Sequence, residues 1–155
     1  MFPFINYCNI VWAATHPTYL IKPLIIQKRF LRMISHSHRY APSAPLFKRY
    51  SLLPIERINT YQTQMFLHKF KYKPEDLPDT FLKKITFTTD VHEHFTRHSN
   101  NSFFLSSIRT IRHKFNLSFR GPKLWSELSL SLRSITSQSV FKKHLKQHHV
   151  FAQLL

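Results

Sequence analysis

The 155-residue chain is 43% hydrophobic and 15% aromatic, which predicts a single domain, residues 1–155, with a packed core. Its 23 Lys and Arg outnumber its 7 Asp and Glu, and the resulting net charge of +16 favours a polyanionic partner. The single cysteine, Cys8, excludes an intramolecular disulfide and a Cys-rich zinc finger, and it indicates a reducing, intracellular compartment such as the nucleus or the cytoplasm.

The N-terminal block, residues 4–14 ("FINYCNIVWAA"), is apolar and short, which allows a strand but favours a buried helix. Asn6, Asn9 and Pro17 interrupt the apolar run, and no lysine or arginine precedes Lys22. The block is therefore predicted to belong to the core, and neither a signal peptide nor a transmembrane segment is predicted.

The next two helices are predicted from their prolines. Pro23 is placed in the first turn of a helix, where its missing N–H leaves no bond unmade, and Pro54 opens another helix that extends to about Tyr72. Pro74 and Pro78 then break the pattern, because neither can donate a hydrogen bond within a helix. The helix after Pro23 has an apolar face and an opposite basic one, which are formed respectively by Ile26, Phe30, Leu31, Met33 and Ile34 and by Lys28, Arg29 and Arg32.

Residues 111–119 alternate between apolar and polar side chains, which predicts a half-buried strand. A partner strand is available in "ITFTT" or "SFFL", so a small antiparallel sheet is expected near residues 85–119. Gly121, the single glycine, is predicted at a positive-φ turn after this strand, with Pro122 opening the following helix.

Helical spacing resumes at Lys123 and points Leu124, Trp125 and Leu128 at the core. A last helix is predicted to begin near Ser137 or Ser139, to bury Phe141 and Leu145, and to expose Lys142, Lys143 and Lys146. The predicted fold is thus mainly α with a small antiparallel β-sheet. A helical part covers residues 1–73, and residues 74–155 hold the strand and the C-terminal helices.

Enzymatic sites are not indicated. One glycine supplies neither a phosphate-cradling loop nor a nucleophile elbow, and the acids of "EDLPD" lie in a proline-broken loop that is expected to be solvated. Three histidine pairs lack helical i, i+4 spacing and accompanying Cys or carboxylate ligands; they are His36 with His38, His92 with His94, and His148 with His149. We therefore predict no catalytic residue, no metal, no cofactor and no small-molecule substrate.

Nucleic acid is the predicted partner. Residues 1–55 contain seven Lys and Arg, residues 97–126 contain six, and neither stretch contains an acid. The candidate binding residues are Lys28, Arg29 and Arg32 on a helix face, Arg112, Lys114 and Arg120 on a strand face, and Lys123 at a helix start. Such cations contact phosphate without reading base sequence, so the predicted binding to RNA or DNA is non-specific.

Six segments follow one another along nearly the whole chain: "FINYCNIVWAAT", "QKRFLRMIS", "SAPLFKRYSLLPIERIN", "VHEHFTRHS", "IRHKFNLSFRGPKLWSEL" and "FKKHLK". In this order they resemble the region after the catalytic palm in reverse transcriptases of non-LTR (LINE-type, jockey-like) retrotransposons. "RGPKLW" is the most specific of these motifs, followed by "QKR" with its "Ile-Ser" helix end.

The resemblance implies a thumb and post-thumb region, which in that family is thought to grip template RNA and target DNA. It would place Lys28, Arg29 and Arg32 on a helix near bound nucleic acid. The family's Tyr-x-Asp-Asp motif, fingers and endonuclease are not in this sequence. The implied protein is thus a non-catalytic fragment of a transposable-element RNA-directed DNA polymerase.

Two other hypotheses stay open. The chain is a degenerate fragment with no autonomous function, or its cationic helices bind an anionic membrane surface. A membrane is not the partner we predict, and the sequence indicates no oligomeric state.

Overall fold

A computed structural model describes residues 2–91 and 102–151, with the backbone alone for residues 2, 3 and 151. The predicted His92 and His94 pair lies outside the described residues. The described part is mainly helical, and its α-helices are α1 (Phe2–Asn6), α2 (Asn9–Trp12), α3 (Pro17–Ile34), α4 (Ala44–Arg49), α5 (Ile55–Tyr72), α6 (Asp79–Leu82), α7 (Thr88–Val91), α8 (Leu117–Ser126), α9 (Leu130–Arg133) and α10 (Gln138–Phe151). Short 3-10 helices cover Pro74–Asp76 and Ile111–Phe115.

The chain packs as two compact units. The N-terminal unit comprises residues 1–61 and 145–155, and the central unit comprises residues 62–144. The predicted single domain, with its internal boundary near residue 73, stays a prediction. Within the described ranges, no helix is both long enough and apolar enough to cross a membrane.

The core of the N-terminal unit joins α1, α3 and the start of α5. Its buried residues are Ile5, Ala13, Leu20, Leu53, Ile55 and Ile58. The N-terminal block is helical as predicted, but Cys8, at φ 47°, divides it into α1 and α2. Because each of these short helices buries only one stripe, the core prediction for the block is only partly confirmed: Phe4, Tyr7 and Val11 are exposed.

Helix α3 begins six residues before the predicted Pro23. His16 caps it by accepting a hydrogen bond from the Thr18 N–H, and Pro17 occupies the first position. The prediction that Pro23 starts the helix is therefore wrong, since Pro23 lies in the helix interior. Its ring costs α3 the hydrogen bond that this residue would otherwise donate to the preceding turn.

The predicted apolar face of α3 is also largely wrong. Leu20, Gln27 and Leu31 are the buried residues, and Leu24 packs against the same core. Three members of the predicted face, Ile26, Met33 and Ile34, are instead exposed. A polar residue was not expected in the buried stripe, which is why sequence pattern placed the face incorrectly.

Gln27 is buried because both ends of its amide group have backbone partners. Its Nε2 donates to the Leu53 carbonyl at 2.9 Å, and its Oε1 accepts from the Ile55 N–H at 3.0 Å. The second bond also satisfies an N–H in the first turn of α5, where no helical carbonyl is available. A buried polar group with both bonds made avoids the desolvation cost of an unpaired one.

The central unit has an aromatic core. His68 stacks on Phe141 with ring centroids 4.2 Å apart, and Phe103 lies edge-on to Trp125 at 5.6 Å. Burial lowers the pKa of His68, although the hydrogen bond between its Nε2 and the Ile135 carbonyl opposes that shift. The prediction for α10, in which residues 138–144 belong to the central unit and the following residues to the N-terminal unit, is confirmed, since Phe141 and Leu145 are fully buried while Lys142, Lys143 and Lys146 are exposed.

The predicted strand at residues 111–119 is wrong, and the small sheet reduces to one bridge in the described part of the chain. That bridge pairs Phe87 with Phe103, which belong to the two segments named as possible partner strands. Residues 111–119 form a 3-10 helix and the start of α8 instead. The Asn116 side chain caps α8 by accepting from the Ser118 N–H, and Phe119, Pro122 and Trp125 then recur on one buried face.

Gly121 lies inside α8, and its φ angle is not positive, so the predicted turn is wrong. A Cβ atom at this position would lie 3.3 Å from Leu67 Cδ1. The single glycine therefore serves a close approach between α8 and the fully buried Leu67 of α5.

Candidate nucleic-acid interface

The second half of α3 and the loop that follows it enclose a surface concavity of about 750 Å³ in the N-terminal unit, which we call the cationic groove. Four of its lining residues are cations and none is an acid. The lining consists of Ile25, Lys28, Arg29, Arg32, Met33, Ser37, Arg39 and Tyr40.

Helical spacing explains the contribution of α3. Residues 25, 28, 29, 32 and 33 recur at intervals of three and four, so their side chains share one face of the helix. The structure thus brings the predicted Lys28, Arg29 and Arg32 together on one surface. Their role in binding stays a prediction.

The chain turns back at the end of α3 through a Schellman motif. The Ser37 N–H donates to the Arg32 carbonyl at 3.0 Å, and the His36 N–H donates to the Met33 carbonyl at 3.2 Å. His36 holds the left-handed conformation, φ 48°, that glycine usually supplies in this motif. The reversal is what places residues 37–40 beside the last turns of the helix.

Two hydrogen bonds fix the loop after this reversal. Arg32 Nε donates to the Ala41 carbonyl at 2.8 Å, and the Ala41 N–H donates to the His38 carbonyl at 2.9 Å. Arg32 therefore has two roles. Its Nε holds the loop through the Ala41 carbonyl, and its guanidinium places a positive charge in the groove. A loop fixed before a ligand arrives loses less conformational entropy on binding.

Arg39 and Tyr40 were not predicted as site residues. The Arg39 guanidinium carbon lies 5.9 Å from the centroid of the Tyr40 ring, and the His38 ring lies 5.6 Å from it. The signal available in the sequence was the basic and aromatic pair within the acid-free "SHSHRY" segment. This pair joins the groove only because the loop folds back on α3, and residue spacing in the sequence does not reveal that reversal.

The four predicted cations of the central unit have unlike environments. Arg112 and Lys114 are exposed on the 3-10 helix, and Lys123 is exposed on α8. Arg120 is half-buried, and burial lowers the pKa of its guanidinium below the ordinary arginine value. Because the expected strand is absent here, Arg112, Lys114 and Arg120 do not form the predicted strand face. Lys123 lies in the last turn of α8, so its predicted position at a helix start is wrong.

A metal site has no support among the described residues. No group of three or more His, Cys, Asp or Glu side chains in residues 2–91 and 102–151 lies close enough to hold an ion. His148 and His149 are neighbours with ring centroids 5.6 Å apart, but they differ in exposure: His148 is exposed and His149 is buried.

No protein-family model, curated protein or solved structure matches the chain. The resemblance to the reverse transcriptases of non-LTR retrotransposons therefore stays a prediction from the quoted segments.

Proposed function

We propose that the N-terminal unit binds the phosphate backbone of RNA or DNA in the cationic groove. The observation that carries this proposal is the convergence of Lys28, Arg29, Arg32 and Arg39 on one concave surface without an acid among the lining residues. Cations concentrated in a concavity strengthen the local positive potential and draw polyanions to it. Contacts of this kind are independent of base sequence, so the proposed binding is non-specific.

We also propose that the chain originates from the thumb and post-thumb region of a non-LTR retrotransposon reverse transcriptase. Support comes from the order of the quoted sequence segments and from the basic helix α3, which carries the "QKR" motif. The genomic sequence directly upstream of the first codon tests the origin. An adjoining reading frame that encodes Tyr-x-Asp-Asp would support it, and an unrelated upstream exon would contradict it.

The salt dependence of binding tests the proposed phosphate contacts. Each phosphate neutralised on a single strand contributes about −0.7 to the slope of log affinity against log salt, so four contacts give about −2.8. Fluorescence anisotropy with labelled oligo(dT) across a range of salt concentrations measures this slope. A flat dependence, or no binding at low salt, contradicts the proposal.

A triple variant locates the binding in the groove. Replacing Lys28, Arg29 and Arg39 by Gln should weaken oligo(dT) binding at least tenfold at low salt, and it should flatten the slope by about 2. Arg32 is left intact because its hydrogen bond to Ala41 holds the loop.

The matched control removes the same charge from exposed positions of the same unit that do not line the groove. Its substitutions are Lys22→Gln, Lys48→Gln and Arg49→Gln. A second control replaces Arg112, Lys114 and Lys123 of the central unit. Equal losses in all three triple variants would show that net charge, and not the groove, determines binding.

A membrane surface is the second candidate partner, because apolar side chains are exposed beside the groove cations. Ile25 and Met33 line the groove with 42% and 68% of their surface exposed, and Ile21 and Ile26 of α3 are also exposed. An interfacial helix combines such residues with Lys and Arg. Co-sedimentation with phosphatidylserine vesicles tests this candidate, and equal binding to vesicles of phosphatidylcholine alone would contradict an electrostatic contact.

A further inference from the structure

We infer that the cationic groove is built for unpaired nucleic acid, with Tyr40 as a stacking platform for one base. This inference rests on the proposed phosphate-binding function and adds the substrate class: a single strand in preference to a duplex. It stands on the exposure of Tyr40, on its position among the cations, and on the fixed geometry of its loop.

Tyr40 differs from the other exposed aromatic residues of α3 and its loop by lying among the groove cations. Its side chain is 79% exposed although it lines a concave surface, so its ring adds little to the core. Single exposed aromatic residues are common on protein surfaces, so the position of this ring among four cations, and not its exposure alone, indicates a ligand. A flat ring next to cations suits a nucleobase joined to a phosphate.

Hydrogen bonds hold the loop backbone that carries the Tyr40 ring. The Tyr40 N–H donates to His38 Nδ1 at 3.3 Å, and the adjoining Ala41 carbonyl is held by Arg32. The Arg39 guanidinium carbon lies over the ring, 5.9 Å from the ring centroid. A base stacked on this ring would thus have a cation close to its own phosphate.

A duplex does not satisfy the same arrangement. Its bases are stacked on one another inside the helix, so their faces are not offered to a protein side chain without the cost of unstacking. A single strand offers those faces freely, and stacking on an aromatic residue then adds to the phosphate contacts. The combination of groove cations and Tyr40 therefore discriminates between the two forms, which the cations alone do not.

The decisive experiment separates the base from the phosphate. Tyr40→Leu removes the aromatic ring, and its affinity is compared with that of the unsubstituted chain for oligo(dT) and for an abasic strand of equal length. We expect about a tenfold loss for oligo(dT) and less than a twofold change for the abasic strand, because only the former has bases to stack. Tyr19→Leu is the matched control, since Tyr19 is 74% exposed on α3 outside the groove.

Two further measurements distinguish the loss of base stacking from a general disturbance of the groove by the Tyr40→Leu substitution. Tyr40→Trp keeps a stacking ring and should restore oligo(dT) binding to within about threefold of the original value. A duplex of the same length should bind more weakly than oligo(dT), and Tyr40→Leu should leave that duplex affinity unchanged. Circular dichroism then tests whether each variant retains its helical content.

The outcomes distinguish the two proposals. If Tyr40→Leu weakens oligo(dT) and abasic strands equally, or weakens neither, the stacking platform is overturned while the phosphate groove can stand on its triple variant. If no strand binds at low salt, the phosphate groove fails and the stacking inference fails with it. If Tyr40→Leu reduces binding to phosphatidylserine vesicles but not to oligo(dT), the ring serves a membrane and the inference is likewise overturned.

Discussion

The two compact units of the chain carry the same formal net charge but arrange it differently. The N-terminal unit has nine Lys and Arg and a single acid, Glu56, whereas the central unit has fourteen Lys and Arg and six acids. In the central unit a pair such as Lys69 and Asp76, 3.5 Å apart, brings opposite charges together. In the N-terminal unit four cations line one groove. Net charge alone therefore does not locate a binding surface, and the placement of the acids matters as much as the number of bases.

The units also differ in what they bury and expose. Most of the buried aromatic rings lie in the central unit, whereas the N-terminal unit buries mainly aliphatic side chains, together with Phe47 and the amide of Gln27. Among the described residues, eight large apolar side chains are more than two-thirds exposed. Six lie in the N-terminal unit, namely Phe4, Tyr7, Val11, Tyr19, Met33 and Tyr40, and two lie in the central unit, namely Ile111 and Leu130. We expect substitutions in the central unit to change stability most and substitutions in the N-terminal unit to change binding.

The largest expected effect on stability is that of Trp125→Ala in the central unit. Trp125 is fully buried, its ring centroid lies 5.6 Å from that of Phe103, and Lys71 Nζ lies 5.6 Å from the ring. Truncating a buried tryptophan creates a cavity, and it should lower the free energy of unfolding by about 3–5 kcal/mol. Urea denaturation followed by far-UV circular dichroism measures this loss.

The matched variant in the N-terminal unit is Trp12→Ala. Trp12 is 38% exposed and its Nε1 donates to the Tyr7 carbonyl at 2.8 Å, so we expect a loss of about 1 kcal/mol. If both tryptophan variants lost the same stability, the contrast between the two units would be wrong. A broad, non-cooperative melt of the unsubstituted chain would instead favour a fragment without a stable fold.

The effect of pH is expected to be smaller than that of Trp125→Ala, and it originates in the N-terminal unit. Burial, followed by the charges of His148 and Arg57, lowers the pKa of His149 to about 4 from its ordinary 6.5. Between these values the unfolded chain binds a proton at His149 that the folded chain does not. The contribution of His149 to the free energy of unfolding should thus be constant above about pH 6.5 and fall by up to about 3 kcal/mol as the pH approaches 4.

Comparison with a variant isolates this contribution. His149→Leu should have a shallower loss of stability between pH 6.5 and 4, whereas His144→Gln, at an exposed position of α10, should follow the unsubstituted chain. His68 of the central unit has a pKa lowered in the same direction, so some acid destabilisation remains in every variant. Identical pH profiles for His149→Leu and the unsubstituted chain would contradict the assignment.

Local signals in the sequence predicted those elements that depend on local rules. The prolines at 54 and 74 bounded α5, and periodicity placed Phe141 and Leu145 of α10 in the core. Elements that depend on distant partners were predicted incorrectly. Gln27 is buried only because residues 53 and 55 supply its hydrogen bonds, and the alternation of residues 111–119 was overridden by the helix cap at Asn116.

The residues of the candidate site also divide into those that local spacing predicts and those that depend on the fold of the chain. Lys28, Arg29 and Arg32 could be grouped from the sequence because they are near neighbours on one helix. Arg39 and Tyr40 join them only through the Schellman turn at His36, whose left-handed backbone in a residue other than glycine has no dependable sequence signature. Sequence reasoning thus found the helical half of the groove and missed the half that its loop contributes.

The smallest expected effect is that of Gly121→Ala. This variant tests whether close packing of α8 against Leu67 is the reason for a glycine at position 121. An added Cβ would lie 3.3 Å and 3.4 Å from the two methyl carbons of Leu67, a close contact that the side chain must relieve by a small shift. Alanine also gains up to about 1 kcal/mol of helix propensity over glycine, which offsets the cost of that shift. We expect the free energy of unfolding to change by less than about 1 kcal/mol. Gly121→Val should cost about 1–3 kcal/mol, since its branched side chain overfills the contact with Leu67. If both variants were tolerated equally in urea denaturation, close packing against Leu67 would not be the reason for the glycine.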